Sequence, residues 1–329
     1  MNKNTLILTY KEITRLMNMP QVIKAVEEAF RYYGRGLTQM PAKIYLRLDK
    51  YGGDFRAMPA YIGRMEACGI KWVNVHPRNS RFNLPAVMAI VILNNPKNGL
   101  PLCIMDGTLL TNFRTGAAGG IAAKYLARKD SSVIGMVGCG TQARTQLLAL
   151  KEFFKIRSVR VWGNKPGYAL RFIKDMRYLK LDMRPADTVF ACVKDADIVV
   201  TTTPVKKPLV KSAWIKPGTH INAIGADAKG KEELEPALLK RAKIIVDDKE
   251  QSLHSGEINV PFSRGLISEK NIYATIGEII AGRRKGRTAK NEITIFDSTG
   301  LAIQDVAVAN LIYQKAVKAG SGRYMRLLK

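Results

Sequence analysis

Between Ser132 and Leu147, the apolar run Val133–Val137 ends in Gly138-Cys139-Gly140-Thr141-Gln142-Ala143. It passes directly into helix-forming residues with Leu147, Leu148 and Leu150 at apolar positions. Few backbone arrangements accommodate this order. Gly138 permits a tight turn straight off a strand, and Gly140 lets the backbone approach a pyrophosphate. Ala143, standing where a third glycine is common, keeps the helix close to the strand. The helix start then offers unpaired N–H groups and a partial positive charge. The stretch predicts the first strand–turn–helix of a dinucleotide-binding domain, with Gly138, Gly140, Thr141, Gln142 and Ala143 around the phosphates. The plainer alternative is an ordinary strand-to-helix turn.

The flanking sequence favours the dinucleotide. Apolar strands are predicted at 133–137, 158–162, 198–202, 220–224, 242–246 and 293–297, with helical segments between them and Pro204, Pro208 and Pro217 in the loops. That alternation is the pattern of an α/β, doubly wound parallel sheet over residues 129–304. Residues 1–128 read differently. One amphipathic helix starts at Asn18 with Pro20 in its first turn, places Val22, Val26, Ala29, Phe30 and Tyr33 on one face, and ends at Gly34. Strands follow at 43–48, 56–61, 70–75, 86–94 and 101–106, the last two joined by the turn Asn95-Pro96-Lys97-Asn98-Gly99. Several strands after one helix predict an α+β domain with a mostly antiparallel sheet. A helix of small residues at 111–126 bridges into the second domain. The C-terminal segment 305–329, helical at 305–316, is expected to return to the first.

With 329 residues, 47% of them hydrophobic and 24% charged, the chain is long enough for two globular domains. It lacks the run of about 18 apolar residues that a spanning helix needs. Lys11 and Glu12 follow the first apolar stretch too closely for a signal peptide. Four cysteines and three histidines are scattered without metal-site spacing. A cytoplasmic, disulfide-free protein with no metal and no membrane partner is expected. The formal charge of +26 is distributed along the chain without a basic tail, a zinc-finger, RRM or KH pattern, or interleaved aromatics. It reads as a solvated cationic surface, not a nucleic-acid interface.

Four further stretches carry chemistry. Lys71 stands in the apolar strand Ile70-Lys71-Trp72-Val73, where burial would lower its pKa and make it an acid/base candidate; the alternative is a lysine alternating outward. Phe113-Arg114-Thr115 at a helix start suits a carboxylate held by a guanidinium fork and helical N–H groups, or else caps a helix beside a surface arginine. In Asn222-Ala223-Ile224-Gly225-Ala226-Asp227 a strand ends in a glycine turn and a carboxylate. Ligands of open α/β sheets collect beyond such strand ends, so Ala226 and Asp227 face the cofactor crevice in this reading, as do Thr202 and Thr203. A capping role is the plain alternative for Asp227. Ser298-Thr299-Gly300, again at a strand end, either line a nicotinamide or cap the next helix.

These stretches together resemble the ornithine cyclodeaminase/mu-crystallin family, and within it the archaeal alanine dehydrogenases. The matching segments are QMPAKIYL, FRAMPAY, GIKWVNVHP, RTGAAGGIAAKYLARK, GCGTQA, INAIGAD, GEINV and IFDSTGLAIQDVA, in family order from about residue 5 to about 315. The resemblance implies a Rossmann domain for a nicotinamide cofactor and a first domain that binds a small amino or imino acid and forms a homodimer by joining sheets. It also implies that Lys71 and Asp227 flank the reacting carbon, while Lys43 and Arg114 hold the substrate carboxylate. Family members deaminate, cyclise or reduce related imines. The expected activity is alanine dehydrogenation. Cyclic ketimine or pyrroline-2-carboxylate reduction, ornithine cyclodeamination and ligand binding without turnover are the alternatives. Ornithine cyclodeaminases carry a glutamate two places before the methionine of the Met-Pro pair; this chain has Arg56 there. A cation at that place repels a second ammonium by a few kcal/mol at short range.

The choice between NAD and NADP is usually made at the end of the second strand, where an acidic residue accepts from the ribose 2′-hydroxyl and repels a 2′-phosphate. Here Val159-Arg160-Val161-Trp162 runs into Gly163-Asn164-Lys165 with no carboxylate. Asn164 can donate a hydrogen bond and Lys165 can pair with a phosphate, so NADP is expected to bind at least as well as NAD.

Overall fold

The computed structural model describes residues 4–328. They form two compact units, one running to Arg114 and resuming at Leu301, the other Thr115–Gly300.

In the first unit β1 (Thr5–Leu8) precedes helices α1 (Tyr10–Leu16) and α2 (Met19–Gly34). The Asn18 side chain caps α2 by accepting from the Gln21 N–H at 3.2 Å, and Val22, Val26, Ala29 and Phe30 are buried as the periodicity predicts. Strands β2 (Thr38–Gln39), β3 (Ile44–Leu48), β4 (Gly53–Ile62), β5 (Ala67–Val75), β6 (Val87–Asn94) and β7 (Pro101–Asp106) follow. The eight-stranded sheet has the order Arg323–Met325, β1, β7, β6, β5, β4, β2, with β3 also paired to β4. The run from β4 to β7 is antiparallel as expected, whereas β1 joins β7 in parallel.

Alternation along these strands divides the residues between two faces. Met58, Lys71, Val91 and Met105 are cross-strand neighbours in one buried row. The C-terminal helix Ala302–Ala319 packs on β4, β5, β6 and α2. The other row carries Ile44, Ala57, Trp72 and Ile90. There Ile44, Leu46, Trp72 and Ile90 are exposed, and Phe55 stacks on Trp72 with centroids 5.2 Å apart. This unit therefore has a helix-covered face and an apolar open one.

In the second unit helix α3 (Thr108–Leu126), whose first residues belong to the first unit, leads to β8 (Val133–Val137), α4 (Thr141–Lys151), β9 (Ser158–Trp162), α5 (Pro166–Met176) and β10 (Asp182–Pro185). Then come β11 (Ile198–Thr201), β12 (His220–Ala223), β13 (Lys243–Val246), β14 (Ile272–Thr275) and β15 (Thr294–Asp297). Every pairing is parallel, in the order β10-β9-β8-β11-β12-β15-β13-β14. The doubly wound α/β sheet is the predicted one. The chain reverses direction across the sheet between β8 and β11, which is where ligands of such sheets bind. Ile134, Met136, Ala143, Leu147 and Phe172 pack one core cluster, while Val199, Ile221, Leu238 and Ile258 belong to another.

The boundaries differ from the expected 128/129 and 304/305. The first lies inside α3, because the glycines of that helix dock on α4. A Cβ at Gly116 or Gly119 would overlap Thr145 or Gln146, and one at Gly120 would lie 2.7 Å from the Ala149 Cβ. The small residues thus tie most of α3 to the second unit, and the helix itself is the crossing. Gly116 meets backbone, which cannot swing aside. We expect Gly116→Ala to destabilise the second unit by about 1–3 kcal/mol, read as a lowered urea midpoint; an unchanged midpoint would mean that α3 does not depend on this close approach.

Candidate functional site

At the switch point of the second unit lies a cavity of about 640 Å³. Its walls include Gly138, Gly140, Thr141, Asn164, Thr202 and Thr203 of the predicted contacts. Gly138 has φ +101°, a conformation L side chains rarely adopt, and a Cβ there would stand 2.7 Å from the Thr202 Oγ1. That hydroxyl oxygen is buried without a hydrogen-bond partner. Gly140 occupies the N-cap of α4, with open space where its Cβ would be. A bare helix start, a glycine cradle and an unsatisfied hydroxyl fit a pyrophosphate and its riboses. Ala143 is buried in the core beneath, where its small size brings α4 close to the sheet.

Other predicted contacts lie elsewhere. Gln142 and Ala226 are not among the cavity walls, nor is Lys165, which is exposed at the N-cap of α5 with its ammonium 5.7 Å from the Tyr168 ring centre. Ser298, Thr299 and Gly300 neither line the cavity nor cap a helix. Their hydroxyls and the Gly300 N–H donate to the Asp247 carboxylate at 3.4, 2.8 and 2.6 Å. Asp227 sits in the loop after β12, paired with Lys231 at 2.5 Å. No helix starts beside it, so it is not the capping aspartate of the alternative reading.

Cavity residues that sequence reasoning missed include the charged Arg144, Arg171 and Asp175 and the aromatic Trp162 and Tyr168. Arg144 donates to the carbonyls of Cys139 and Gly140 at 2.6 and 3.0 Å and to Asp175 at 2.6 Å, bracing the glycine turn from behind. Arg171 and Tyr168 also line the cavity. The basic residues at 144 and 171 fall within the first two turns of α4 and α5, and a cation near each helix start was the available signal. Gly163 is confined: a Cβ there would meet the Cys139 Sγ at 2.6 Å.

In the first unit the buried row of β5 places Lys71 at 1% exposure, which excludes the outward lysine. Its ammonium is 2.7 Å from the Asp305 Oδ2, in the first turn of the C-terminal helix, and Asp305 is itself fully buried. Arg114 donates from Nε to the Asp305 Oδ1 at 3.0 Å and from Nη1 to the Gln304 Oε1 at 2.9 Å. Burial, then the Arg114 charge, push the Lys71 pKa down to about 7; Lys43 adds to the fall and Asp305 opposes it. Arg114 and Thr115 are not at a helix start. Helix α3 begins at Thr108, where the Asp106 side chain accepts from the N–H groups of 108 and 109, so 114 and 115 lie in its second turn. Their N–H groups serve the helix, and the Thr115 carbonyl accepts from the Gln146 Nε2 at 2.9 Å. Arg56 is buried, bound to Asp54 at 2.8 Å, with its guanidinium 5.2 Å from the Tyr45 ring centre. Asp305 is the principal residue missed. An acid within the apolar run LAIQDVAVANLI was the signal.

A sequence profile of the ornithine cyclodeaminase/mu-crystallin family matches residues 3–320. An alanine dehydrogenase of Archaeoglobus fulgidus is 52% identical over 327 residues, covering 99% of each chain. An archaeal alanine dehydrogenase, solved as a dimer with bound NAD, superposes with a TM-score of 0.95 at 51% identity, over 99% of this chain and 100% of the other. The Δ1-pyrroline-2-carboxylate reductase of Thermococcus litoralis, solved with NADH and L-proline, gives 0.95 at 39% identity over 97% and 99%. With a glycine-lined cavity at the switch point of one unit and a buried lysine–aspartate–arginine cluster in the other, the chain belongs to the ornithine cyclodeaminase/mu-crystallin family, as one of its oxidoreductases.

Proposed function

We propose that the protein is a nicotinamide-dependent alanine dehydrogenase, interconverting L-alanine with pyruvate and ammonia. The observation that carries this reading is the buried Lys71, brought down to about 7 and sharing Asp305 with Arg114. The nicotinamide, when bound, takes a hydrogen and two electrons from the α-carbon or returns them to an imine. The protein supplies charge and protons. Arg114 and Lys43 hold the substrate carboxylate. Lys71, neutral above about pH 7, takes the proton of the attacking water and returns it to the carbinolamine. Asp227 serves the amine. Buried Arg56, in place of a carboxylate, disfavours a substrate with a second ammonium.

A base must be neutral to act, so the neutral fraction of Lys71 sets the sign. We expect kcat/KM for L-alanine oxidation to rise with pH through about 7. In Lys71→Ala that rise should vanish and kcat should fall by about 10²–10⁴-fold. Steady-state rates with pyruvate, ammonium and NAD(P)H test the activity itself, and absence of turnover overturns it. A second reading, Δ1-pyrroline-2-carboxylate reduction, draws on the likeness to the Thermococcus litoralis enzyme. A strong preference for the cyclic imine over pyruvate with ammonium would establish that reading instead.

For the cofactor, we propose that NADP(H) binds at least as well as NAD(H). Gly163 and Asn164 line the cavity without a carboxylate between 163 and 165, and Arg171 adds positive charge. Asp175 also lines the cavity, but its carboxylate is held by Arg144. Because a side chain at 163 meets Cys139, the test pairs Gly163→Asp with Cys139→Ala. The double variant should shift the ratio of dissociation constants toward NAD by about tenfold, or 1.4 kcal/mol. A tenfold NAD preference in the parent that the variant leaves unchanged would refute the assignment.

We further propose a homodimer in which a second copy covers the open face of the first unit's sheet. Trp72, Ile90, Ile44 and Leu46 are large apolar residues exposed on the same face of the sheet, and apolar residues grouped in this way mark interaction sites. Ile90→Arg should convert a dimer mass to a monomer mass in light scattering at moderate salt; a parent that is already monomeric removes the proposal.

A further inference from the structure

The acidic residues of the second unit present an arrangement that neither the cavity nor the proton chemistry uses. Glu233 is fully buried, and its carboxylate accepts four hydrogen bonds. Oε1 takes the Thr203 N–H at 2.6 Å and the Thr203 hydroxyl at 2.7 Å; Oε2 takes the Thr201 hydroxyl at 2.7 Å and the Gly225 N–H at 2.8 Å. Thr201 ends β11 and Gly225 follows β12, so one carboxylate joins the ends of two neighbouring strands. Immediately beyond the first joint come Thr202, Thr203, Pro204 and Val205, a wall of the cavity, and immediately beyond the second comes Asp227.

Glu233 is itself held. Its own N–H and that of Leu234 donate to Glu257 at 2.9 and 2.6 Å, and the Glu257 N–H donates to Asp297 at 2.8 Å. Each acid anchors the backbone that carries the next, and the series starts at the end of β15.

We propose that Glu233 is a positioning residue for the dinucleotide, acting through the loop at 202–205, which it holds in register with the turn at 225. The proposal rests on the reading of the cavity as a dinucleotide site. Chemistry explains why an acid is needed. The four partners are all donors, and a carboxylate has acceptor sites for all of them. An amide of the same shape keeps one accepting oxygen and turns an NH2 toward one hydroxyl and one backbone N–H. The hydroxyl can rotate to accept, but the N–H cannot, so one backbone bond is lost and one of the two joints is released, while the volume of the core is unchanged. Burial raises the pKa of Glu233 above the usual carboxylate range, and its donors offset that rise only in part.

The test is a fluorescence titration of NADH and NADPH against the full-length parent, Glu233→Gln and Thr201→Val, with thermal melts of each. Failure of the parent to bind either dinucleotide overturns the reading of the cavity. If the parent binds, we expect Glu233→Gln to weaken binding by about tenfold at a temperature where it is folded. KM for the dinucleotide should rise in the same proportion, with the smaller change in kcat. A melt that falls while the dissociation constant and KM stay at parental values assigns Glu233 a merely structural role and overturns the proposal. Should Glu233→Gln fail to fold, Thr201→Val decides. It keeps the carboxylate, removes one donor outside the cavity wall, and should weaken binding about threefold; unchanged affinity overturns the proposal.

Discussion

Inside the first unit one carboxylate serves two cations. Asp305, fully buried, lies 2.7 Å from the Lys71 ammonium and 3.0 Å from the Arg114 Nε. Two close charges interact by about 4 kcal/mol even at the higher effective dielectric near a protein surface, so an uncompensated positive charge in this core is costly. Arginine does not release its proton in proteins. Lysine does: burial first, and then the Arg114 charge, brings Lys71 down to about 7, and shedding its proton restores neutrality. The fold fixes this balance. The alternation of β5 buries Lys71, and the first turn of the C-terminal helix sets an acid where the helix dipole favours one. With Lys71 protonated the cluster carries one positive charge more than Asp305 can meet; with Lys71 neutral, Arg114 and Asp305 balance.

The second unit solves the reverse problem. Glu233, Glu257, Asp247 and Asp297 are all fully buried, and every hydrogen bond described to their carboxylates comes from a backbone N–H or a hydroxyl. Such donors stabilise an anion without a counter-charge. They satisfy backbone groups that the ends of parallel strands leave unpaired. The compensation is incomplete, and burial raises Glu233 despite its donors. Burial and neighbouring acids push Glu257 well above the usual carboxylate range and Asp297 to about 8. Ser298-Thr299-Gly300, a strand-end segment of the kind that ligands contact, is enlisted to hold Asp247 instead. The same local sequence serves either purpose, and only the position of the acid discriminates them.

The parallel sheet, the glycine turn and the capped helix at Asn18 were legible because each is written in local sequence: period, cap and breaker. The short strands Thr38–Gln39 and Arg323–Met325 were not, since their pairing depends on longer strands that recruit them. Helix α3 was read as starting at 111, but Asp106 caps it at Thr108, and that shift moved Arg114 from a helix end into a second turn. Lys71 was legible as an anomaly, a cation in an apolar strand. Its partner was not, because Asp305 lies far away along the chain and only tertiary packing joins the two. The link between Glu233 and Glu257 is absent from local sequence for the same reason; sequence spacing says nothing of acids that meet across strand ends.

Arg56 shows how structure alters an electrostatic argument without reversing it. From the sequence it is a bare cation that repels a second ammonium. In the fold it is bound to Asp54 at 2.8 Å and lies over Tyr45, so part of its charge is already met. The repulsion is correspondingly weaker than the bare estimate. What remains is a difference in hydrogen-bonding character. A guanidinium has donors and no acceptor, so it offers an incoming ammonium nothing to replace the water that group must give up. A glutamate in the same place offers two accepting oxygens. The penalty of desolvating an unpaired ammonium exceeds the benefit of most neutral contacts. In the proposed alanine dehydrogenase, discrimination against a diamino acid rests less on repulsion by Arg56 than on the missing acceptor, and a small neutral side chain, which needs no partner, is the kind of substrate that such a position leaves undisturbed.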